Sequence, residues 1–96
     1  MFYRVGKIKC EEGKADEVIN YFKSNEKFFN DTDGIHSLSY FKSANDEVIG
    51  VAVRESKESL DSNAERVQSM MAGLMKYVIS PPEIFEGILE YKFNSK

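Results

Sequence analysis

Apolar and polar residues alternate from the start of the chain. Tyr3, Val5 and Ile8 stand among polar neighbours over residues 3–10, and aromatic and β-branched types at such positions predict a first strand. Glu11-Glu12-Gly13 breaks it. From residue 14 to about residue 30 the period changes to that of a helix, with Ala15, Val18, Ile19, Phe22 and Phe29 on one side. Asp16 and Glu17 fall in its first turn, where acids complement the helix dipole. Asn30-Asp31-Thr32-Asp33-Gly34 ends this helix, because Asn and Asp stabilise local turns and Gly reaches positive φ. Residues 35–42 alternate again, Ile35, Ser37, Ser39 and Phe41 pointing one way and His36, Leu38, Tyr40 and Lys42 the other. The turn Ser43-Ala44-Asn45-Asp46 then joins this second strand to a third over residues 47–54, predicting a hairpin.

That third strand contains the unbroken run Val48-Ile49-Gly50-Val51-Ala52-Val53, and a strand without polar alternation is expected to be covered on both faces. A second helix follows. Leu60, Ala64, Val67, Met71, Leu74 and Val78 recur at steps of four and three, Ser56 and Ser62 are candidate N-caps, and Ser62-Asn63-Ala64-Glu65 has the spacing of a capping box. Pro81-Pro82 cannot continue a helix, and residues 83–93 set Phe85, Leu89, Tyr91 and Phe93 against Glu86, Glu90 and Lys92 as a fourth strand, with residues 94–96 as a frayed tail.

The order β-α-β-β-α-β predicts an α+β, ferredoxin-like fold over residues 1–96 as a single domain. It is a four-stranded antiparallel sheet with the first and third strands central and two helices on one face. The other face is then uncovered. Yet Ile35 and Phe41 lie opposite Leu38 and Tyr40, and Ile84 and Ile88 lie opposite the aromatic row of the last strand. Exposing such a set leaves an apolar patch larger than monomers usually tolerate, so a homodimer through the open sheet face is expected.

Composition narrows the partners. A net charge of −3 with dispersed lysines lacks the basic footprint of nucleic-acid binding. No apolar run approaches the roughly 18 residues of a membrane span, and no signal-like apolar segment opens the chain. The one cysteine, Cys10, cannot form an intramolecular disulfide, so a cytoplasmic setting is expected.

Chemistry is sparse. His36 is the side chain whose ordinary pKa suits a proton shuttle, and beside Leu38 and Tyr40 it could deprotonate a phenol or hydroquinone whose anion then meets oxygen without a cofactor. The plainer alternative is an exposed histidine beside a turn, since no orienting carboxylate is spaced to accompany it. Arg54 could hold an anionic or phenolic ligand with its fork of donors, or pair with an acid such as Glu55 or one on the partner subunit. Met70, Met71 and Met75 with Leu74 could floor an adaptable pocket or simply fill the core. Cys10 has no base near it in sequence, and one Cys with one His makes no metal site, so no metal is expected. In Asp31-Thr32-Asp33-Gly34 the first and twelfth positions of a calcium loop would be Phe29 and Tyr40, which leaves a turn.

The order and spacing resemble the antibiotic biosynthesis monooxygenase superfamily, small dimeric α/β-barrel proteins of about this length. The likeness rests on Glu12-Gly13-Lys14 before the first helix, Asp33-Gly34-Ile35 before the second strand, and Arg54-Glu55-Ser56-Lys57-Glu58-Ser59-Leu60, which is similar to an aromatic-x-Ser-x-x-x-Leu pattern. It implies a cofactor-independent monooxygenase acting on a small aromatic or quinol substrate, but no catalytic constellation carries over residue by residue; the groups named from the sequence itself are His36 and Tyr40 as catalytic and Arg54, Met71 and Met75 as ligand contacts. The alternative is a non-enzymatic homodimeric module that binds a small hydrophobic ligand or serves as an interaction surface. Active members commonly place an aromatic residue where this chain has Arg54, and the chain has no Trp. Haem-degrading relatives use an Asn on the first strand and a His on the second helix, where spacing puts Gly6 and Ala64, so haem degradation is not expected.

Overall fold

Residues 1–95 are described by a computed structural model; Lys96, the last residue of the expected tail, lies outside the described residues. The elements are β1 (Phe2–Lys9), α1 (Ala15–Ser24), α2 (Glu26–Asn30), β2 (Ile35–Ala44), β3 (Glu47–Arg54), α3 (Lys57–Ser62), α4 (Ala64–Met71), a 3-10 turn (Ala72–Leu74) and β4 (Glu83–Ile88). The strands form one antiparallel sheet in the order β2-β3-β1-β4, with β1 and β3 central as the element order requires.

Alternation along the central strands divides the sheet into two faces. On the helix side Ile8 lies opposite Val48, and both are buried with Cys10 against Ala15, Val18 and Phe22 of α1 and against Met70 and Leu74. The helix residues are spaced so that one side of α1 meets the sheet, and each large aliphatic or aromatic side chain buried there contributes roughly 1.5–3 kcal/mol. Lys42 at the end of β2 reaches Asp16 of α1 at 2.8 Å. Such an exposed pair adds little stability but fixes the helix over the hairpin.

Both predicted helices are interrupted, each at an asparagine. Asn25 turns its amide onto the Tyr21 carbonyl at 2.8 Å, and the backbone leaves helical geometry at φ −107° before α2 begins. Asn63 (φ −121°) separates α3 from α4, with its side chain engaged by Arg54 and by the Asp33 carbonyl. Short polar side chains that bond nearby backbone compete with the helix ladder in this way. The cap of the second helical region is Ser56, whose Oγ accepts from the Ser59 N–H at 3.2 Å. Ser62 is no cap: it closes α3, and its hydroxyl donates back to the Ser59 carbonyl.

The second helix also stops before Val78. The Tyr21 hydroxyl donates to the Met70 carbonyl, the group that would otherwise accept from Leu74, and the chain tightens through Ala72–Leu74. Val78 instead bridges to Cys10, while Ala64 is exposed. The fourth strand is shorter than residues 83–93 because β1 supplies no partner beyond Phe2, which pairs with Ile88. One more bond, Leu89 N–H to the Met1 carbonyl at 2.9 Å, ends the ladder.

Candidate functional site

The sheet register lays the floor of a cavity in three rows. Tyr40, Gly50, Gly6 and Ile84 stand side by side across the four strands, with Leu38, Ala52, Arg4 and Glu86 in the next row and Ile35, Arg54, Phe2 and Ile88 in the third. The paired glycines leave the middle of the first row without side chains. A cavity of about 320 Å³ opens above this floor, roofed by Phe28, Phe29, Leu60, Val67, Met70 and Met71. The apolar stripe of the second helix is thus partly the lining of a void: Val67 and Met71 are half-buried, while Leu60, Met70 and Leu74 are buried.

Tyr40 is held in place from two sides. Its ring stacks on Phe22 with centroids 3.8 Å apart and planes 8° from parallel. It also lies over Gly50 so closely that a Cβ there would stand 2.6 Å from its ring. Burial pushes the Tyr40 phenol up to about 12, against a smaller opposing effect of the Arg54 charge. Tyr40 therefore meets a ligand as a neutral hydrogen-bond donor and not as a base.

Arg54 ends β3 and is 4% exposed. Its Nη1 donates to Asn63 Oδ1 at 3.1 Å and to the Ser59 carbonyl at 3.4 Å, whereas its Nε is buried with no acceptor. No carboxylate pairs with it among the described residues, so the anticipated alternative of a Glu55 partner is not realised. Burial, and then the like charge of Arg4, lower its affinity for the proton. Arg4 borders the same cavity and is paired with Glu86 at 3.8 Å near the rim.

His36 is placed elsewhere. Ile35 pairs with Arg54 and Ser37 with Val53, so β2 uses two residues where β3 uses one and His36 is the extra residue of a bulge. The strict alternation expected for residues 35–42 fails at this point. Ile35 joins Leu38 and Tyr40 around the cavity, and His36 is exposed outside it. Met71 lines the cavity as expected, but Met75 is 65% exposed and borders a separate shallow depression with Leu74 and Val78. Cys10 is wholly buried, and burial pushes its thiol up. Among the described residues no three His, Cys, Asp or Glu side chains gather closely enough to hold a metal ion, and no helix is long and apolar enough to cross a membrane. Arg4 and the Gly6–Gly50 pair were not foreseen as site residues. The available signal was one glycine in each of two adjacent central strands, which gains meaning once the register pairs them.

No protein-family model and no curated sequence matches the chain. Solved structures do match. A monooxygenase from Streptomyces coelicolor in complex with nanaomycin D aligns over 99% of this chain and 92% of its own, with a TM-score of 0.81 at 14% identity. An antibiotic biosynthesis monooxygenase covers 95% of this chain and 100% of its own (TM-score 0.76, 7% identity). NE2512, a protein of unknown function from Nitrosomonas europaea, covers 99% and 95% (TM-score 0.78, 13% identity). The chain therefore shares the fold of these structures, an α+β ferredoxin-like architecture whose sheet is open.

Proposed function

We propose that this chain is a cofactor-independent monooxygenase acting on a small phenol or quinol held between sheet and helices. The observation that carries the reading is the cavity itself: an apolar chamber with one protonated phenol, Tyr40, and one buried guanidinium, Arg54. The positive field of Arg54 and Arg4 favours ionisation of a bound phenol, whose proton leaves to solvent. The phenolate supplies electrons to dioxygen at a ring carbon ortho or para to it that carries hydrogen, the ortho carbon in a hydroquinone. One oxygen atom stays as the new carbonyl while the C–H bond there breaks, the other leaves as water, and the phenol, oxidised to a quinone, provides all four electrons. The aromatic wall at Phe28 and Phe29 packs against the ring, and the Tyr40 hydroxyl donates to an oxygen of the substrate or of the adduct.

A second reading is a small-ligand-binding module without turnover. It is favoured by the absence of a cavity-lining side chain that ordinarily titrates near neutrality, Arg4, Arg54 and Tyr40 being the titratable groups there. Oxygen uptake by the purified chain on a panel of hydroquinones and polyphenols separates the two. Turnover with retention of one labelled oxygen atom per product, falling about 100-fold in Arg54→Gln and unaffected by His36→Ala, is the expected result. Uptake no faster than a protein-free blank on every substrate would leave the binding module.

A further inference from the structure

Every charge lining the cavity needs a partner, and among the described residues one lacks it. Arg54 is 4% exposed, engages only the neutral acceptors Asn63 Oδ1 and Ser59 O, and keeps a buried Nε with no acceptor. Removing a cation from water is tolerated when an anion accompanies it, and a neutral amide and carbonyl supply only part of that compensation. A second cation, Arg4, borders the same space. Asp and Glu are missing from the lining set, and the nearby Glu86 sits at the rim on Arg4. The remaining walls are apolar or aromatic, Phe28, Phe29, Leu38, Val67 and Met71 among them, with Gln68 as the one neutral polar side chain besides Tyr40 among the described residues. The chamber thus has an excess of positive charge at one end and carbon surface elsewhere, and its volume of about 320 Å³ suits one or two rings.

We infer that the cavity selects an aromatic acid bound as its carboxylate, with Arg54 as the counter-charge and Arg4 beside it. The inference rests on the reading of the cavity as a ligand site and adds to the phenol or quinol ring a permanent anionic group. Arg54 accepts this group well because its guanidinium is already held in place by Asn63 and Ser59, so little freedom is lost on binding.

The test compares two probes of nearly the same shape, 1-naphthoate and 1-naphthamide, by titration calorimetry on the full chain at neutral pH. Naphthoate is expected to bind at least about tenfold tighter, a charge-assisted hydrogen bond being roughly twice as strong as a neutral one, and its advantage should shrink as salt is added. Arg54→Gln should erase the preference, and Arg54→Lys should retain part of it. Equal affinity of the wild-type chain for the two probes overturns the inference and leaves the cavity reading intact. A preference that survives in folded Arg54→Gln overturns it as well. Failure of both probes to bind the folded wild-type chain overturns the cavity reading and the inference together.

Discussion

Tyr40 shows how a single side chain acquires a role from its surroundings. The stacked Phe22 ring and the bare Gly50 below it remove water from the phenol, and the cost of ionising it in that place raises its pKa from 10.0 to about 12. A folded-state value above the unfolded one means that the native chain holds the proton more tightly. The contribution to stability is therefore complete below about pH 10 and is lost as pH rises through 12. Two units correspond to about 2–3 kcal/mol. Denaturant unfolding at pH 9 and pH 12 should show the wild type losing up to that much more stability than Tyr40→Phe. Equal losses in the two proteins would mean that the phenol is not desolvated. His36 teaches the opposite lesson: its type suggested chemistry, but one extra residue in β2 leaves it in solvent.

Among the elements, the two asparagine breaks divide what periodicity presents as single helices. Asn63 matters to the site, because its side chain holds Arg54 and the Asp33 carbonyl together beneath the start of α4. The segment before it, α3, is short and depends on its cap. Ser56→Ala removes the acceptor for the Ser59 N–H and should destabilise the chain by about 1 kcal/mol, read from a shift in the denaturation midpoint. The same change at Ser62 should shift the midpoint by less than half as much, since Ser62 is exposed and only donates back to the Ser59 carbonyl. Equal effects at the two serines would contradict this assignment of the cap.

At the scale of the molecule, the face turned away from the helices presents its own rows: Phe41, Ile49 and Lys7; Ser39, Val51, Val5 and Phe85; Ser37, Val53, Tyr3 and Gly87. Phe41 is 53% and Phe85 60% exposed, at the two margins of an apolar centre. We propose that a second copy covers this face as a homodimer, which accounts for the two-sided hydrophobicity of β3. Light scattering on eluted protein at micromolar concentration should give twice the chain mass of 11.0 kDa, and Phe85→Glu should return the single mass. A wild-type chain that elutes at 11.0 kDa would remove the assembly from the account.

The architecture was legible in the sequence because it depends on local signals. Strand and helix periods, Gly13 and Gly34 at positive φ, and Pro81-Pro82 after the second helical region act over a few residues and set the order from which β1 and β3 become central. Arg54 and Met71, expected from type and position alone to meet a ligand, both border the cavity. Register decided the rest. Only when four strands align do Gly6 and Gly50 meet as a gap in the floor, does the bulge exchange Ile35 for His36 beside Tyr40, and does Arg4 come to border the same space as Arg54. Those relations join residues far apart in the chain, so they depend on pairing and packing, which no local pattern of apolar and polar positions encodes.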